Sequence, residues 1–298
     1  MKEEIQADIC VIGAGSAGLS VAAGAAQMGA RTVLIEGHRM GGDCLNTGCI
    51  PSKSILSAAK AAQAVRKAHG YGINAQEPVA DFAAVHRYVH SVIGAIAPHD
   101  SVERFTGLGC RVIEARASFV DPRTVVAGDT VIRARRFVIA TGSRAFIPPI
   151  PGLDKVPYFT NESIFDNTVL PSHLIVIGAG PIGCEMAQAH RRLGSKVTIL
   201  DLARMLPKDD PEAVEIVRRA FFAEGIETAE AVKIAGIEKT TGGIALTLNE
   251  GGTERRIDGS HLLVATGRQA NVQHLGLEKA GVTYTPKGVQ VDARLRTT

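Results

Sequence analysis

The sequence predicts an α/β protein built from two Rossmann-like, doubly wound domains, each with a small antiparallel β element. Three observations predict it. A unit of apolar strand, glycine-rich turn, helix and second strand is written twice. Each copy is followed by an apolar strand ending in Ala-Thr-Gly. The chain has 298 residues, enough for two domains that each bury a core.

The first copy, "ADICVIGAGSAGLSVAAGAAQMGARTVLIE", runs from Ala7 to Glu36, and the second, "SHLIVIGAGPIGCEMAQAHRRLGSKVTILD", from Ser172 to Asp201. Gly13 to Glu36 and Gly178 to Asp201 are both 23 residues. A single Gly-x-Gly-x-x-Gly is weak evidence. Here it follows a predicted strand, opens a helix and has an acid at the end of the second strand, which is the pattern of a dinucleotide cradle. Gly13 and Gly178 allow the tight turn, Gly15 and Gly180 let a pyrophosphate approach the backbone, and Gly18 and Gly183 let helix and strand pack closely. The helix N-terminus offers N–H groups and a positive dipole end to phosphates. Glu36 and Asp201 can accept from ribose hydroxyls.

The strands "RRFVIATGSR" (135–144) and "HLLVATGRQ" (261–269) close the two units. From Gly13 to Thr141 is 128 residues, but from Gly178 to Thr266 only 88. The extra residues of the first copy contain "GGDCLNTGCIPSK", so Cys44 and Cys49 lie in an insertion into the first dinucleotide domain. The proline-rich "FIPPIPGL" (146–153) reads as a linker. The expected division is 1–150 for the first domain with its inserted redox helix, 151–270 for the second, and 271–298 for a segment returning to the first. The stretch after Ser54 reads as a helix stopped by Gly70, and "DFAAVHRYVHSVIGAI" as another. "GCRVIEARASFVDPRTVVAG" and "IAGIEKTTGGIALTLNEGGTERRID" read as short antiparallel strands and hairpins.

The formal net charge of +3 is nearly balanced, and basic clusters such as Arg133–Arg136 are short, so neither nucleic acid nor an acidic membrane is an expected partner. The N-terminus is acidic, and its apolar run breaks at Gly13. That suits neither a signal peptide nor a membrane span, and a cytoplasmic location is expected. Five cysteines do not make a disulfide framework.

Four readings of Cys44 and Cys49 compete: a metal clip, a structural staple, two unrelated buried thiols, and a redox pair. A zinc clip needs two more ligands, and Cys10, Cys110 and Cys184 are isolated, so no metal is expected. A structural disulfide is disfavoured in the cytosol. In a regular helix, positions five apart point about 140° from each other. Bridging them needs a distorted turn that brings the Cα atoms within about 7 Å. Gly41, Gly42 and Gly48 permit one. Pro51 suits the first turn of the following helix, Cys49 then sits near its N-terminus, where a thiolate is favoured, and Lys53 adds positive charge. His86 and His90 have helical i,i+4 spacing and read as a solvated face.

Together, "GAGSAG", "GGDCLNTGCIPSK", "IATGSRAFIPPIPGL", "VIGAGPIGCEMA" and "VATGRQANVQHLGLEKAGV" resemble, in order and over nearly the whole chain, the class I pyridine nucleotide–disulfide oxidoreductases. That family includes dihydrolipoamide dehydrogenase, glutathione reductase and mercuric reductase. The resemblance implies FAD in the first unit and the nicotinamide nucleotide in the second. It places Gly13, Gly15, Gly18 and Glu36 on the ADP half of FAD, with Gly42, Lys53, Ala117, Ala140, Thr141 and Gly142 around the rest. It makes Cys49 the thiol facing the flavin and Cys44 the one exchanging with substrate, and it pairs Lys53 with Glu185. Gly178, Gly180, Gly183, Asp201 and Gly267 would bind the nicotinamide nucleotide. An acid at Asp201 accepts from a free 2′-hydroxyl and repels a 2′-phosphate, which favours NAD over NADP. Asp43 stands where the family often has threonine, so it is expected to point away from the pyrophosphate or to cap the turn.

The family continues past Thr298 into a second FAD motif and a C-terminal interface domain that supplies homodimer contacts and a His–Glu acid/base pair. On this reading the chain lacks that domain and is a fragment or a truncation. The implied chemistry passes electrons between NAD(P)H, FAD and a Cys44–Cys49 disulfide, then to a small-molecule or protein-bound disulfide. Dihydrolipoamide is the first candidate and mercuric ion its rival. A non-catalytic flavin- or nucleotide-binding module is the alternative of another class. A low-molecular-weight thioredoxin reductase is disfavoured, because its cysteine pair lies in the nicotinamide domain.

Overall fold

A computed structural model describes residues 3–298. By their internal contacts the described residues form two compact units: 3–49 with 93–144 and 268–298, and 50–92 with 145–267.

The first unit is a six-stranded sheet. It contains β1 (Glu3–Ile12), β2 (Thr32–Glu36), β3 (Cys110–Glu114), β4 (Ala117–Asp121), β5 (Thr124–Ala127) and β6 (Thr130–Ile139), in the order β3-β2-β1-β6-β5-β4. β1, β2, β3 and β6 are mutually parallel, with Ile9 opposite Thr32 and Arg136, and Thr32 opposite Cys110. Strands covered on both faces are apolar along their length, and Thr32–Ile35 of β2 are all buried. Side chains alternate between the faces. Val11 and Leu34 pack with Leu19 and Ala22 of α1 (Ser16–Gln27), while Cys10, Ile12, Val33 and Ile35 enter the core on the other side. That second core also takes Val272, Leu275 and Leu277 from the chain after Gly267, and the Phe119 amide donates to the Leu275 carbonyl at 2.7 Å. β4 and β5 form the antiparallel hairpin the sequence predicts. Cys110–Glu114 does not: it extends the parallel sheet beside β2. Two short helices, α2 (Gly42–Asn46) and α5 (Val102–Gly107), belong here. The next, α3 (Cys49–Lys67), starts in this unit, and α4 (Phe82–Ile96) ends in it; the chain leaves through β7 (Ser143–Ala145).

The second unit repeats the design with a four-stranded parallel sheet. β8 (His173–Ile177), β9 (Lys196–Leu200), β10 (Glu227–Ala229) and β14 (His261–Val264) lie in the order β10-β9-β8-β14. The helices α6 (Pro181–Leu193) and α7 (Pro211–Glu224) follow β8 and β9. A three-stranded antiparallel sheet of β11 (Lys233–Thr240), β12 (Gly243–Glu250) and β13 (Thr253–Gly259) covers one face. Ile237, Leu246, Leu248 and Ile257 there pack on Ile175, Ile177, Leu200 and Val264. Among the described residues no helix is long and apolar enough to cross a membrane.

His190 on α6 is fully buried. Its Nδ1 lies 2.8 Å from the Met186 carbonyl, an acceptor only, so Nδ1 carries a proton. Burial pushes its pKa down to about 4. An unfolded chain takes up a proton near pH 6.5, which the folded one refuses until about pH 4. Stability should therefore fall as pH drops through that window, by as much as ~3 kcal/mol. Urea unfolding at pH 7.5 and pH 5 should show this loss in the parent. His190→Leu should keep only the smaller slope from His86, His173 and His261, which burial also lowers.

Candidate functional site

Two cradles with the same construction occupy the two units. In the first, Gly13 has φ +105°, a backbone state that glycine alone adopts readily. A Cβ there would lie 2.3 Å from the Ala140 carbonyl oxygen, and one on Gly18 1.8 Å from that of Gly13. The turn is tied to the strand ends, with Gly13 N donating to Ile35 O at 2.8 Å and Ala140 N to Ile12 O at 2.8 Å. Both oxygens of Glu36 are held by backbone amides, those of Ala14 at 2.6 Å and His38 at 2.7 Å.

The second cradle matches it bond for bond. Gly178 has φ +110°, and a Cβ on Gly183 would lie 1.9 Å from Gly178 O. Gly178 N donates to Leu200 O at 2.8 Å and Ala265 N to Ile177 O at 2.7 Å. Asp201 accepts from the amides of Ala179 at 2.6 Å and Ala203 at 2.7 Å. Each carboxylate oxygen has a second lone pair, so a fixed carboxylate can still accept from a ribose diol. Gly15 and Gly180 cap α1 and α6 without a side-chain hydrogen bond, so no capping side chain stands over either turn. This donor set, an anchored carboxylate beside a helix N-terminus that glycine leaves open, fits the ADP half of a dinucleotide.

The thiol turn is built against the first cradle. Gly41 and Gly42 have φ of +83° and +56°, and the Gly41 amide donates to Ala14 O at 2.9 Å. A Cβ on Gly42 would lie 2.6 Å from the Gly15 Cα, so glycine at 42 is what lets the turn close on Gly15. The turn then makes the five-residue α2, breaks at Thr47 and Gly48, and restarts as α3 at Cys49. Asn46 staples it, its Nδ2 donating to Gly42 O at 2.8 Å and Met40 O at 3.0 Å. Cys44 is half-buried and Cys49 exposed. Burial, then a hydrogen bond with Cys49, pushes the Cys44 thiol up to about 11. At neutral pH Cys44 keeps its proton and shares it with the neighbouring sulfur.

Asp43, expected to point away or to cap the turn, accepts from the Thr47 hydroxyl and forms an ion pair with Arg268. In the second unit, Lys53 Nζ and Glu185 Oε1 form an ion pair at 2.7 Å. Thr141 Oγ1 donates to Asn271 O at 2.7 Å, and the Asn271 amide to Gly142 O at 3.0 Å. Gly267 has φ +130°, and its carbonyl accepts from the Phe146 amide at 3.0 Å. Ala117 opens β4 at the sheet edge, three strands from β1, and is buried in the core. His86 and His90 are half-buried rather than fully solvated: their ring centroids lie 4.2 Å apart with the planes tilted by 41°, and His90 reaches the Phe165 carbonyl at 3.1 Å. Arg268, Ser143 and Asn271 were not singled out by the sequence reading, although they flank the two Ala-Thr-Gly strands.

Each unit thus holds a cradle that fits the ADP half of a dinucleotide, and the first also carries Cys44 and Cys49 on one turn. Residues 7–298 match the family described as pyridine nucleotide-disulphide oxidoreductase, and the chain belongs to it. It is 34% identical over 97% of its length to a mercuric reductase of Streptomyces lividans, covering 63% of that protein. It is equally 34% identical, with the same coverage of both chains, to a dihydrolipoyl dehydrogenase of Thermus scotoductus. A mercuric reductase of Shigella flexneri is 37% identical, with 97% of this chain and 53% of that one covered. Among solved structures, the Cu(II) complex of the HOCl-induced flavoprotein disulfide reductase RclA from Escherichia coli superposes with a TM-score of 0.84. It is 26% identical, with 98% of this chain and 64% of that one covered. The chain therefore spans between half and two thirds of the length of these relatives.

Proposed function

We propose that the chain is the nucleotide-coupled part of a FAD-dependent oxidoreductase, in which electrons pass from NADH to the Cys44–Cys49 pair. The observation that carries this is the closure of the thiol turn on Gly15, where Gly42 lies against the cradle that would hold FAD. Gly13, Gly15, Gly18 and Glu36 would hold its ADP half. FAD, when bound, accepts a hydride and passes on an electron pair. Cys44 and Cys49 store that pair as two thiols. Cys44, held protonated beside Cys49, would be the thiol that exchanges with an outside acceptor once its proton is removed. Lys53, fixed by Glu185, places a cation one turn into the helix that Cys49 begins.

Gly178, Gly180, Gly183 and Gly267 would hold the nicotinamide nucleotide, with Asp201 selecting NAD. Asp201 is fixed by two amides and would accept from a ribose 2′-hydroxyl, while its charge opposes a 2′-phosphate. The expected acceptor is a disulfide of the lipoamide type. Mercuric ion is the second reading, favoured by the likeness to the mercuric reductases of Streptomyces lividans and Shigella flexneri. The test is steady-state reduction of lipoamide and of Hg(II) by the FAD-loaded chain, with NADH and NADPH in turn. NADH should be preferred, and Asp201→Ala should raise its KM about tenfold, as expected for lost ribose hydrogen bonds. Preference for NADPH would overturn the nucleotide assignment. Failure with both acceptors, with nucleotide and flavin still bound, would favour a binding module.

A further inference from the structure

The ion pair of Asp43 sits one residue before Cys44 and ties the thiol turn to a distant part of the chain. One Asp43 oxygen accepts from Thr47 within the turn, and the other pairs with the Arg268 guanidinium. Arg268 is itself fixed on two further sides: its Nε donates to Ser143 Oγ at 2.8 Å and its Nη2 to Ser143 O at 2.6 Å. The Arg268 side chain is only 26% exposed, so the fork is held in one place rather than swinging in solvent. The result is a three-point strap from the turn through Asp43 and Arg268 to β7.

We propose that Asp43 and Arg268 are a positioning pair that fixes the turn, so that the two sulfurs meet in the geometry a disulfide requires. Several features call for such a device. The turn contains Gly41, Gly42 and Gly48, each of which adds backbone freedom that must be lost before the thiols can meet. α2 has five residues, too few to hold itself. A charge-assisted hydrogen bond to a planar guanidinium supplies both the energy and the direction to hold it. The strap also gives the carboxylate that stands one residue before Cys44 a charged partner in Arg268.

This inference rests on the reading of Cys44 and Cys49 as a redox pair, and one experiment separates the two. The reduced chain is equilibrated with glutathione buffers of graded composition. The dithiol gives up two electrons and two protons to glutathione disulfide, forming the Cys44–Cys49 bond and releasing two glutathione molecules. The disulfide is identified by peptide mass spectrometry. Cys10, Cys110 and Cys184 are buried and should remain thiols. In the parent, Arg268→Met should lower the oxidation equilibrium constant about tenfold and speed amide exchange over residues 42–48, the size expected for one charge-assisted bond. In an Asp43→Thr background the same change should have little further effect, because the strap is already cut. Arg268→Lys, which keeps the charge without the fork, should fall between and serves if Arg268→Met does not fold. Equal effects of Arg268→Met in both backgrounds, or none in either, would overturn the strap. A parent chain that forms no Cys44–Cys49 disulfide would overturn the redox reading, and the strap with it.

Discussion

Cys49→Ser should retain FAD and nucleotide but lose electron delivery to a disulfide acceptor by at least ~10³-fold, because a lone thiol cannot store an electron pair as a reversible intramolecular bond. The carboxylates of the two cradles are held by backbone amides, Glu36 by those of Ala14 and His38, and Asp201 by those of Ala179 and Ala203. Flavin content after reconstitution should therefore match the parent while turnover collapses. Cys44→Ser should behave alike in turnover, because the thiol that meets the acceptor is gone. Residual activity within tenfold of the parent in either variant would mean that electrons leave by a route that bypasses the pair.

Gly18→Ala should destroy the first cradle. A Cβ at that position would lie 1.8 Å from the Gly13 carbonyl oxygen, a backbone atom that cannot rotate away as a side chain could. α1 must then move off β1, or the Gly13 turn must open. The expected cost exceeds about 3 kcal/mol, in the range of backbone strain and overpacking combined, with loss of bound FAD on purification. Gly24→Ala in the same helix is the internal control. Gly24 is exposed, and nothing lies within 4 Å of its added Cβ. It should raise stability by about 1 kcal/mol through helix propensity alone. Urea midpoints moving in opposite directions for these two substitutions would show that contact, not glycine content, sets the requirement. Gly183→Ala should do to the second cradle what Gly18→Ala does to the first, since its Cβ would lie 1.9 Å from Gly178 O.

The cradles were legible in the sequence because their demands are local. A positive φ at Gly13 or Gly178, a missing Cβ at Gly18 or Gly183 and an acid at the end of the second strand all fall within one 30-residue unit, and each leaves its own residue type as a mark. Repetition then removed the ambiguity of a single motif. The thiol turn was half legible. Its glycines announced an unusual backbone, but not that the chain would make one short helix, break, and begin another at Cys49.

What was not legible depends on partners far along the chain. The run Cys110–Glu114 reads equally as a hairpin strand or as a parallel strand, since a segment of five residues is too short for periodicity to separate them. Pairing with Thr32–Glu36 decides it. The same holds for Asp43: one residue in the sequence could only suggest that its charge must be managed, whereas the structure supplies Arg268. His86 and His90 have the spacing of a solvated helix face, and that spacing could not show that His90 would reach the Phe165 carbonyl and lie beside Asp166.

The most direct measurement is an anaerobic absorbance titration of the FAD-loaded chain with NADH, followed by counting of the thiols released. The expected result is a long-wavelength thiolate–flavin band that develops with one equivalent of NADH, two new thiols per chain, and no band in Cys49→Ser. Bleaching of the flavin with no band and no new thiols would contradict the coupling of the Gly13–Gly18 cradle to Cys44 and Cys49.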